Sequence, residues 1–477
     1  MANIITEISR FIIIILMALY TFSCFSVFAK SFESEKKSIL LRQNIYMFLI
    51  HAIAYLVMFL KTNDRQLIIF YCFQFVFFLA VILLYKFIYP KSSRLIVNNM
   101  CMLLSVGFIM ITRLNYKKGV KQFVFASIAM VICLFVPVAI RKLKKLTEWT
   151  YIYAGVGIGL LLLVAILATV QEGAKLGFTI PGIGISIQPS EFVKIIFVFF
   201  VAASLSAATN FKNIVITTCI AAAHVLILVL STDLGAALIL FIVYLIMLYV
   251  ATSNILYAGA GIGAGALASF IGYKMFAHVK VRVAAWQDPF ATYNAEGYQV
   301  AQSLFAIGTG GWFGMGLYQG LPGSIPVAEE DFIFSAISEE LGLVFALCLI
   351  LICLSCYVMF LNIAMALCNQ FYKLVALGLG TCYIFQVFLT IGGVTKFIPS
   401  TGVTLPLVSY GGSSILSSLI MFGIIQGLYI LREDEENNIE KRRRRKVQGS
   451  KNARKRSEAV TKKEQKAFEE IPQQRVR

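Results

Sequence analysis

The chain has 477 residues, of which 59% are hydrophobic and 14% are charged, and its mean hydropathy is +0.81. Ordinary soluble domains are roughly 45–50% apolar and 25% charged, so this composition excludes an array of soluble domains. The net charge of +18 would suit nucleic acid, but the basic residues gather in short loops between apolar blocks and in one tail, a pattern typical of membrane topology. We therefore expect a polytopic membrane protein with no nucleic-acid partner.

Thirteen apolar blocks have the length that crosses a membrane as a helix. They lie at about 11–28, 44–61, 67–88, 98–114, 122–140, 149–169, 192–207, 213–230, 234–251, 255–276, 332–360, 372–394 and 408–431. This spacing predicts an all-α fold with three N-terminal spans in residues 1–97 and a ten-span core in residues 98–431. An odd number of spans places the two termini on opposite sides of the membrane.

The tail, residues 432–477, carries the basic run Lys441–Lys446 and almost no aromatic residues. Such a composition cannot bury a core and predicts disorder. The positive-inside rule assigns the tail to the cytoplasm, where anionic lipids are its expected contact. The N-terminus is then expected outside.

Counting spans back from the tail places three basic loops inside, as the rule requires: 30–42, 91–94 and 141–145. The basic loop 113–121 falls outside, so either the count is wrong by one pair of spans or this loop has a functional charge. The same count puts the two longest loops, 170–190 and 277–331, on the outer face, where we expect the chemistry.

Two motifs place charged residues at the ends of predicted spans, where ionisable groups are costly and are functional candidates. In the first, Gln188-Pro189-Ser190-Glu191 opens a helix and Lys194 follows Glu191 by three residues, on the same face. This pair is either a salt bridge between helices or a carboxylate and an ammonium facing a polar cavity. In the second, Asp233 followed by Gly235 begins a span, which indicates a helix cap.

The outer loop 277–331 contains Arg282, Gln299 and Gln302 and ends in Glu329-Glu330-Asp331. A long loop rich in glycine and aromatic residues more often carries a functional site than serves only as a connection. Asp331 heads an apolar helix at the membrane boundary, where partial desolvation suits a general base. Two alternatives stay open: Asp331 is a simple N-cap, or it forms a cation site with Glu330.

The last motif is Gly402 to Ser414, which includes Pro406, Ser409, Gly411 and Gly412. Glycine, proline and hydroxyl residues at the start of a span indicate a broken helix around a cavity.

Five of these segments, in order, resemble the SEDS family (shape, elongation, division and sporulation proteins such as FtsW, RodA and SpoVE). They are Gln188-Pro189-Ser190-Glu191 with Lys194, Asp233-Leu234-Gly235, Gly297-Tyr298-Gln299 with Gln302-Ser303, Asp331-Phe332-Ile333-Phe334 with Glu339-Glu340, and Ser409-Tyr410-Gly411-Gly412-Ser413-Ser414. The resemblance implies a peptidoglycan glycosyltransferase of the bacterial cytoplasmic membrane. It would join lipid II units to undecaprenyl-diphosphate-linked glycan in division, elongation or sporulation, beside a class B penicillin-binding protein transpeptidase.

Asp331 matches the family's essential outer-loop aspartate, and an inverting displacement needs no covalent intermediate. Lys194 and Arg282 are candidates for holding the diphosphate, with a divalent cation, Mg²⁺ or Mn²⁺, as a further candidate. The other candidate substrate contacts are Glu191, Lys175, Gln299, Gln302 and Ser409. Two departures from the family pattern are Lys175 in place of an Arg-Trp pair, and Glu329-Glu330 in place of His-Thr.

Two other classes of function fit many spans around a polar cavity. A transporter that flips the lipid precursor would place its polar groups at mid-membrane, whereas here they cluster at the outer boundary. A non-catalytic scaffold for cell-wall synthesis could use the tail and the extra spans as partner surfaces.

Overall fold

The computed structural model describes residues 2–30, 32–167, 177–180, 185–294 and 297–437. The three N-terminal helices are α1 (Ala2–Ala29), α2 (Glu33–Thr62) and α3 (Arg65–Ile88). They are followed by α4 (Arg94–Leu114), α5 (Tyr116–Lys142), α6 (Thr150–Leu167), the hairpin strands β1 (Phe178–Ile180) and β2 (Ile185–Ile187), α7 (Pro189–Ala207), α8 (Phe211–Leu230), α9 (Leu234–Thr252) and α10 (Ile255–Met275). The last five are α11 (Ala277–Gln287), α12 (Gly297–Gly310), α13 (Ile333–Ala366), α14 (Gln370–Val394) and α15 (Gly412–Asn437).

Twelve helices of the described residues are long and apolar enough to cross a membrane, and α6 is a shorter apolar helix. Each of the thirteen predicted spans overlaps one of these helices, so the helical polytopic fold is confirmed. The small hairpin between α6 and α7 and the two helices inside the outer loop 277–331 were not predicted. The predicted disorder of the tail beyond residue 437 lies outside the described residues.

Several helices begin where a short polar side chain accepts a hydrogen bond from a first-turn N–H, which satisfies one of the unpaired backbone donors at a helix start. These caps are Asp64, Ser93, Asn115, Asn210, Asp233, Asn254 and Asn369. Polar capping residues therefore mark the boundaries of apolar helices that hydrophobicity alone leaves uncertain.

Helix α4 lies at the centre of the bundle, with α2 and α3 on one side and α13 on another, and its whole apolar window is buried. Asn99 joins these layers, because its Oδ1 accepts a hydrogen bond from the Tyr20 hydroxyl (3.1 Å) and its Nδ2 donates to Ser355 Oγ (3.3 Å). Near the C-terminal end of α4, the Thr112 hydroxyl lies 3.1 Å from that of Tyr55 in α2. Interhelical hydrogen bonds of this kind hold membrane helices together, so the N-terminal helices form one packed body with the core.

Helix α13 is broken at Gly342, which has φ 86° and ψ 166°. The break frees backbone groups, and the segment after α12 pairs with them: the N–H of Leu343 donates to Gly311 O (2.9 Å) and the N–H of Gly316 donates to Glu340 O (2.9 Å). Non-helical backbone is tolerated inside a membrane bundle when other protein groups form its hydrogen bonds. These hydrogen bonds hold the segment that starts at Gly311 and leads to Asp331 against α13.

Candidate active site

A cavity of about 860 Å³ opens between α7, α9, α11, α12 and the irregular segments that flank α13 and α14. Seven residues singled out in the sequence line it: Glu191, Lys194, Asp233, Arg282, Gln299, Glu330 and Asp331. The tertiary structure therefore brings together charged and polar groups from five separate segments of the chain.

Asp331 is half-buried in the cavity wall, two residues before α13 begins at Ile333. The N-cap of α13 is Phe332, which makes no side-chain cap bond. Asp331 therefore lies one residue before the N-cap position, and its role as a general base stays a prediction. The broken segment before α15 lies beside the carboxylate, since a Cβ placed on Gly402 would be 3.9 Å from Asp331 Oδ2.

Glu191 and Lys194 form a buried ion pair in which Lys194 Nζ donates to Glu191 Oε1 at 2.9 Å. Each partner has a further bond: Ser417 Oγ donates to Glu191 Oε2 (2.8 Å), and Lys194 Nζ donates to Gln386 Oε1 (2.8 Å). The pair therefore joins α7 to α14 and α15 while it also lines the cavity. The salt bridge lies within α7 rather than between helices, and both of its residues also line the cavity.

Asp233 caps α9, as expected: its Oδ1 accepts from the Ala236 N–H (3.1 Å) and its Oδ2 accepts from the Ser190 hydroxyl (2.8 Å). Burial raises the pKa of Asp233 above its usual range, and these two hydrogen bonds oppose that shift. Gly235 allows the close approach of the segment before α15, because a Cβ there would lie 2.3 Å from Val403 Cγ2.

Helix α11 contributes five residues to the cavity wall, among them Arg282, Trp286 and His278. Arg282 Nη1 donates to Ser400 O at 3.3 Å, and Trp286 Nε1 donates to Lys396 O at 3.1 Å. Burial, and then the charge of Arg282, lower the pKa of His278, so the ring stays neutral at neutral pH. Sequence reasoning missed His278, although its spacing of four residues from Arg282 places both on one helix face.

The remaining candidate contacts are not in the cavity wall. Gln302 Nε2 donates to the Tyr293 hydroxyl at 2.9 Å, and Ser409 Oγ accepts from the Leu405 N–H at 2.9 Å. Substrate contact by Gln302 and Ser409 stays a prediction. Lys175 lies outside the described residues.

The segment before α15 forms a buried turn at residues 405–409, which include Pro406, as the predicted broken helix requires, and Gly411 and Gly412 are half-buried where α15 begins. Gln122 of α5 holds it, because its Nε2 donates to Ser409 O (3.0 Å) and its Oε1 accepts from the Gly411 N–H (3.2 Å). A Cβ on Gly412 would lie 3.3 Å from the ring of Phe125. These residues shape the site through packing.

The basic loop between α4 and α5 meets the acidic residues around Asp331. Arg113 Nη2 lies 2.8 Å from Glu340 Oε1. Lys118 Nζ bonds Glu329 and lies 3.5 Å from Glu330 Oε1. This loop therefore lies at the same end of the bundle as the cavity, and Arg113 and Lys118 are paired there. A functional role for the charge of this loop stays a prediction.

The opposite end of the bundle is marked by Asp434, which pairs with Lys91 and with Arg141 (3.2 Å). The start of the chain lies at the cavity end, since Arg10 Nη1 donates to Gly314 O at 3.1 Å. The beginning of α1 and the end of α15 therefore lie at opposite ends of the bundle.

In the part of the chain that the structure describes, no group of three or more His, Cys, Asp or Glu side chains could hold a metal ion. Asp331 and Glu330 are two carboxylates on the same cavity. Mg²⁺ is commonly bound by one or two carboxylates together with substrate phosphates, so this pair fits a cation that the substrate helps to bind.

The fold and the site define a polytopic membrane protein with a carboxylate- and cation-lined cavity suited to acid–base chemistry. The chain belongs to the FtsW/RodA/SpoVE family of cell cycle proteins, whose family model matches residues 93–433. Peptidoglycan glycosyltransferase RodA of Mycobacterium tuberculosis is 33% identical over 365 residues, which are 70% of this chain and 77% of that protein. Stage V sporulation protein E of Bacillus subtilis is 32% identical over 318 residues, which are 64% and 85% of the two chains.

Two solved structures share the fold. A chain from the structure described as "Structural coordination of polymerization and crosslinking by a peptidoglycan synthase complex" has a TM-score of 0.61 and 22% identity, covering 72% of this chain and 98% of that one. The rod shape determining protein RodA of Thermus thermophilus has a TM-score of 0.53 and 22% identity, covering 72% and 97%.

Proposed function

We propose that this protein is a peptidoglycan glycosyltransferase that joins lipid II units into glycan strands on the outer face of the bacterial cytoplasmic membrane. The observation that carries the proposal is the position of Asp331, a half-buried carboxylate on the wall of a large cavity that Lys194 and Arg282 also line. The relatives named peptidoglycan glycosyltransferases support the reaction class. The chain's role in division, elongation or sporulation is the part that its family membership leaves open.

In this reaction, the Asp331 carboxylate accepts the proton of the acceptor sugar's 4-hydroxyl as that oxygen attacks the donor's anomeric carbon. The bond between the anomeric carbon and the diphosphate oxygen breaks, and the lipid diphosphate leaves with the electron pair. Attack from the face opposite the leaving group inverts the anomeric centre. General-base assistance of this kind contributes about 10²- to 10⁴-fold in rate.

The leaving diphosphate develops negative charge, which cations in a water-poor cavity stabilise. Arg282 is the stronger candidate, because its guanidinium has one contact to a backbone carbonyl and keeps further N–H donors. Lys194 already bonds Glu191 and Gln386, so its charge is largely offset. Asp331 and Glu330 would hold Mg²⁺ or Mn²⁺, which when bound would neutralise phosphate charge.

We propose the orientation from the charges at the two ends of the bundle. Lys91 and Arg141 lie at the end opposite the cavity, and the basic run Lys441–Lys446 follows α15. The positive-inside rule places that end in the cytoplasm. The cavity and the beginning of α1 then face outwards, and anionic lipids are the expected contact of the tail.

We also propose a class B penicillin-binding protein as the partner that crosslinks the product. Its support is the family and the solved neighbour, a chain of a peptidoglycan synthase complex. In this scheme residues 98–431 are the catalytic unit and residues 1–97 are an N-terminal extension. The extension meets the catalytic unit through α4 and α13.

The competing function is transport of the lipid precursor across the membrane. Glu191, Lys194 and Asp233 are buried, as a transporter requires, but each is satisfied by fixed partners in neighbouring helices. Asp331 precedes the span of α13, at the boundary of the bundle. This placement favours chemistry on a lipid that has already been exported.

The test is gel-resolved polymerisation of lipid II by the purified protein with its class B partner. The native chain is compared with Asp331→Asn and with Asp64→Asn, a matched control whose asparagine retains the helix cap. Polymer from the native and Asp64→Asn chains but none from folded Asp331→Asn supports the proposal. Equal product from all three removes Asp331 from catalysis, and no product from any, with cations and partners varied, favours transport or a scaffold.

A further inference from the structure

We propose that Lys118 is a positioning residue for Asp331, acting through Glu329. Their ion pair links the corner between α4 and α5 to the segment that presents the general base. The proposal rests on the function proposed above, and it assigns a task to basic residues that the positive-inside rule does not explain.

Glu329 is anchored twice. Its side chain bonds Lys118 Nζ, and its carbonyl accepts a hydrogen bond from the Tyr410 N–H at 2.8 Å. Lys118 Nζ also lies 5.2 Å from the centroid of the Tyr410 ring, a distance at which a cation is attracted to an aromatic face. One lysine therefore contacts both segments that border the cavity, the segment before α13 and the segment before α15.

The chain has little freedom between this anchor and the general base. Val327 has a positive φ of 55°, and the Glu330 N–H donates back to Val327 O at 3.0 Å, which closes a tight turn. On the other side of Asp331, Phe332 is only 1% exposed and packs in the core. Asp331 lies between these two fixed points, so movement of Glu329 redirects the carboxylate.

The ion pair also has an electrostatic effect on the site. Glu329 and Glu330 are carboxylates next to Asp331 in sequence, and like charges favour proton binding. Lys118 offsets both, and the exposed fractions of the Lys118 and Glu329 side chains, 31% and 14%, limit screening by solvent. Lys118 therefore also offsets negative charge next to Asp331.

The experiment compares kcat and KM of lipid II polymerisation for seven chains: native, Lys118→Glu, Glu329→Lys, the double charge reversal, Lys118→Arg, Lys117→Glu and Asp331→Asn. Lys117→Glu is the matched control, because it makes the same charge change at an exposed neighbouring lysine. Thermal unfolding in detergent is measured for each chain to separate activity from folding.

We expect Lys118→Glu and Glu329→Lys to lose about tenfold or more in kcat, since small misplacements of a catalytic group cost up to about 10²-fold. KM should change little, because Lys118 does not line the cavity. The double reversal and Lys118→Arg should recover most of the activity, and Lys117→Glu should resemble the native chain.

The proposal is overturned if either single reversal keeps kcat while only thermal stability falls, because Lys118 would then be purely structural. It is also overturned if the double reversal is no more active than the worse single variant. Failure of the proposed function is seen separately, as polymerisation by Asp331→Asn or as none by the native chain.

Discussion

Glu191 and Lys194 sit one helical turn apart on α7, and a 2.9 Å ion pair joins their side chains inside the bundle. A buried charge without a partner costs far more than a buried pair, and removing one partner typically destabilises a protein by about 3–5 kcal/mol. We therefore expect Lys194→Met to lower the unfolding temperature in detergent strongly. The double variant Glu191→Gln with Lys194→Met should be more stable than Lys194→Met, because no unpaired charge remains. Equal stability of the single and double variants would contradict this account.

Gly342 permits the break in α13. A Cβ at this position would lie 2.3 Å from Gly314 N and 2.5 Å from Phe313 C, and its φ of 86° disfavours any side chain. We expect Gly342→Ala to separate the segment after α12 from α13, to destabilise the protein by about 1–3 kcal/mol and to reduce polymerisation. Gly308→Ala in α12 is the control, because no atom lies within 4 Å of the added carbon. Similar unfolding temperatures for the two variants would count against this reading of the kink.

Arg282 should contribute to substrate binding through its charge. We expect Arg282→Gln to lower kcat/KM for lipid II polymerisation by about tenfold or more, as loss of a charge-assisted bond does. Lys280→Gln removes the same charge from an exposed position on the same helix and should change kcat/KM little. Equal effects of the two substitutions would mean that general attraction to positive charge, rather than contact in the cavity, explains the role of α11.

Asn99 should couple the N-terminal helices to the core. Asn99→Leu leaves the buried Tyr20 hydroxyl without its acceptor, and interhelical hydrogen bonds in membranes contribute about 0.6–1.7 kcal/mol each. We expect a lower unfolding temperature for Asn99→Leu than for Ser26→Ala, whose hydroxyl bonds the backbone of its own helix. An unchanged unfolding temperature for Asn99→Leu would show that the hydrogen bonds of Asn99 do not help to hold the extension against the core.

Composition and the lengths of the apolar blocks were sufficient for the helical class, since only helices and closed barrels satisfy every backbone group in lipid. The breaks inside and beside the spans were harder to place. The motif around Pro406 and Gly411 indicated one break correctly, whereas Gly342, which follows Glu339 and Glu340 within the predicted span 332–360, was not predicted as a break. The reason is that a glycine in a membrane helix more often serves close packing, and its backbone angles depend on the segment it meets.

Of the candidate residues, those in short local motifs were the most predictable. The cap at Asp233 and the pairing of Glu191 with Lys194 follow from helix geometry, which fixes neighbours three residues apart. His278 was missed because a lone histidine has no local pattern. Helix geometry brings it beside Arg282, and the packing of α11 places both side chains on the cavity wall.

The sequence by itself determined the membrane-embedded helical fold, the family motifs and Asp331 as the candidate base, because hydrophobic length and local spacing are properties of the chain. The ion-pair partners of Arg113 and Lys118 could be identified only from the folded structure. Their partners Glu340 and Glu329 lie more than 200 residues away in the chain. A sequence shows which residues are charged, but it does not show which opposite charge lies next to each one. Packing sets that distance, and Coulomb attraction depends on it.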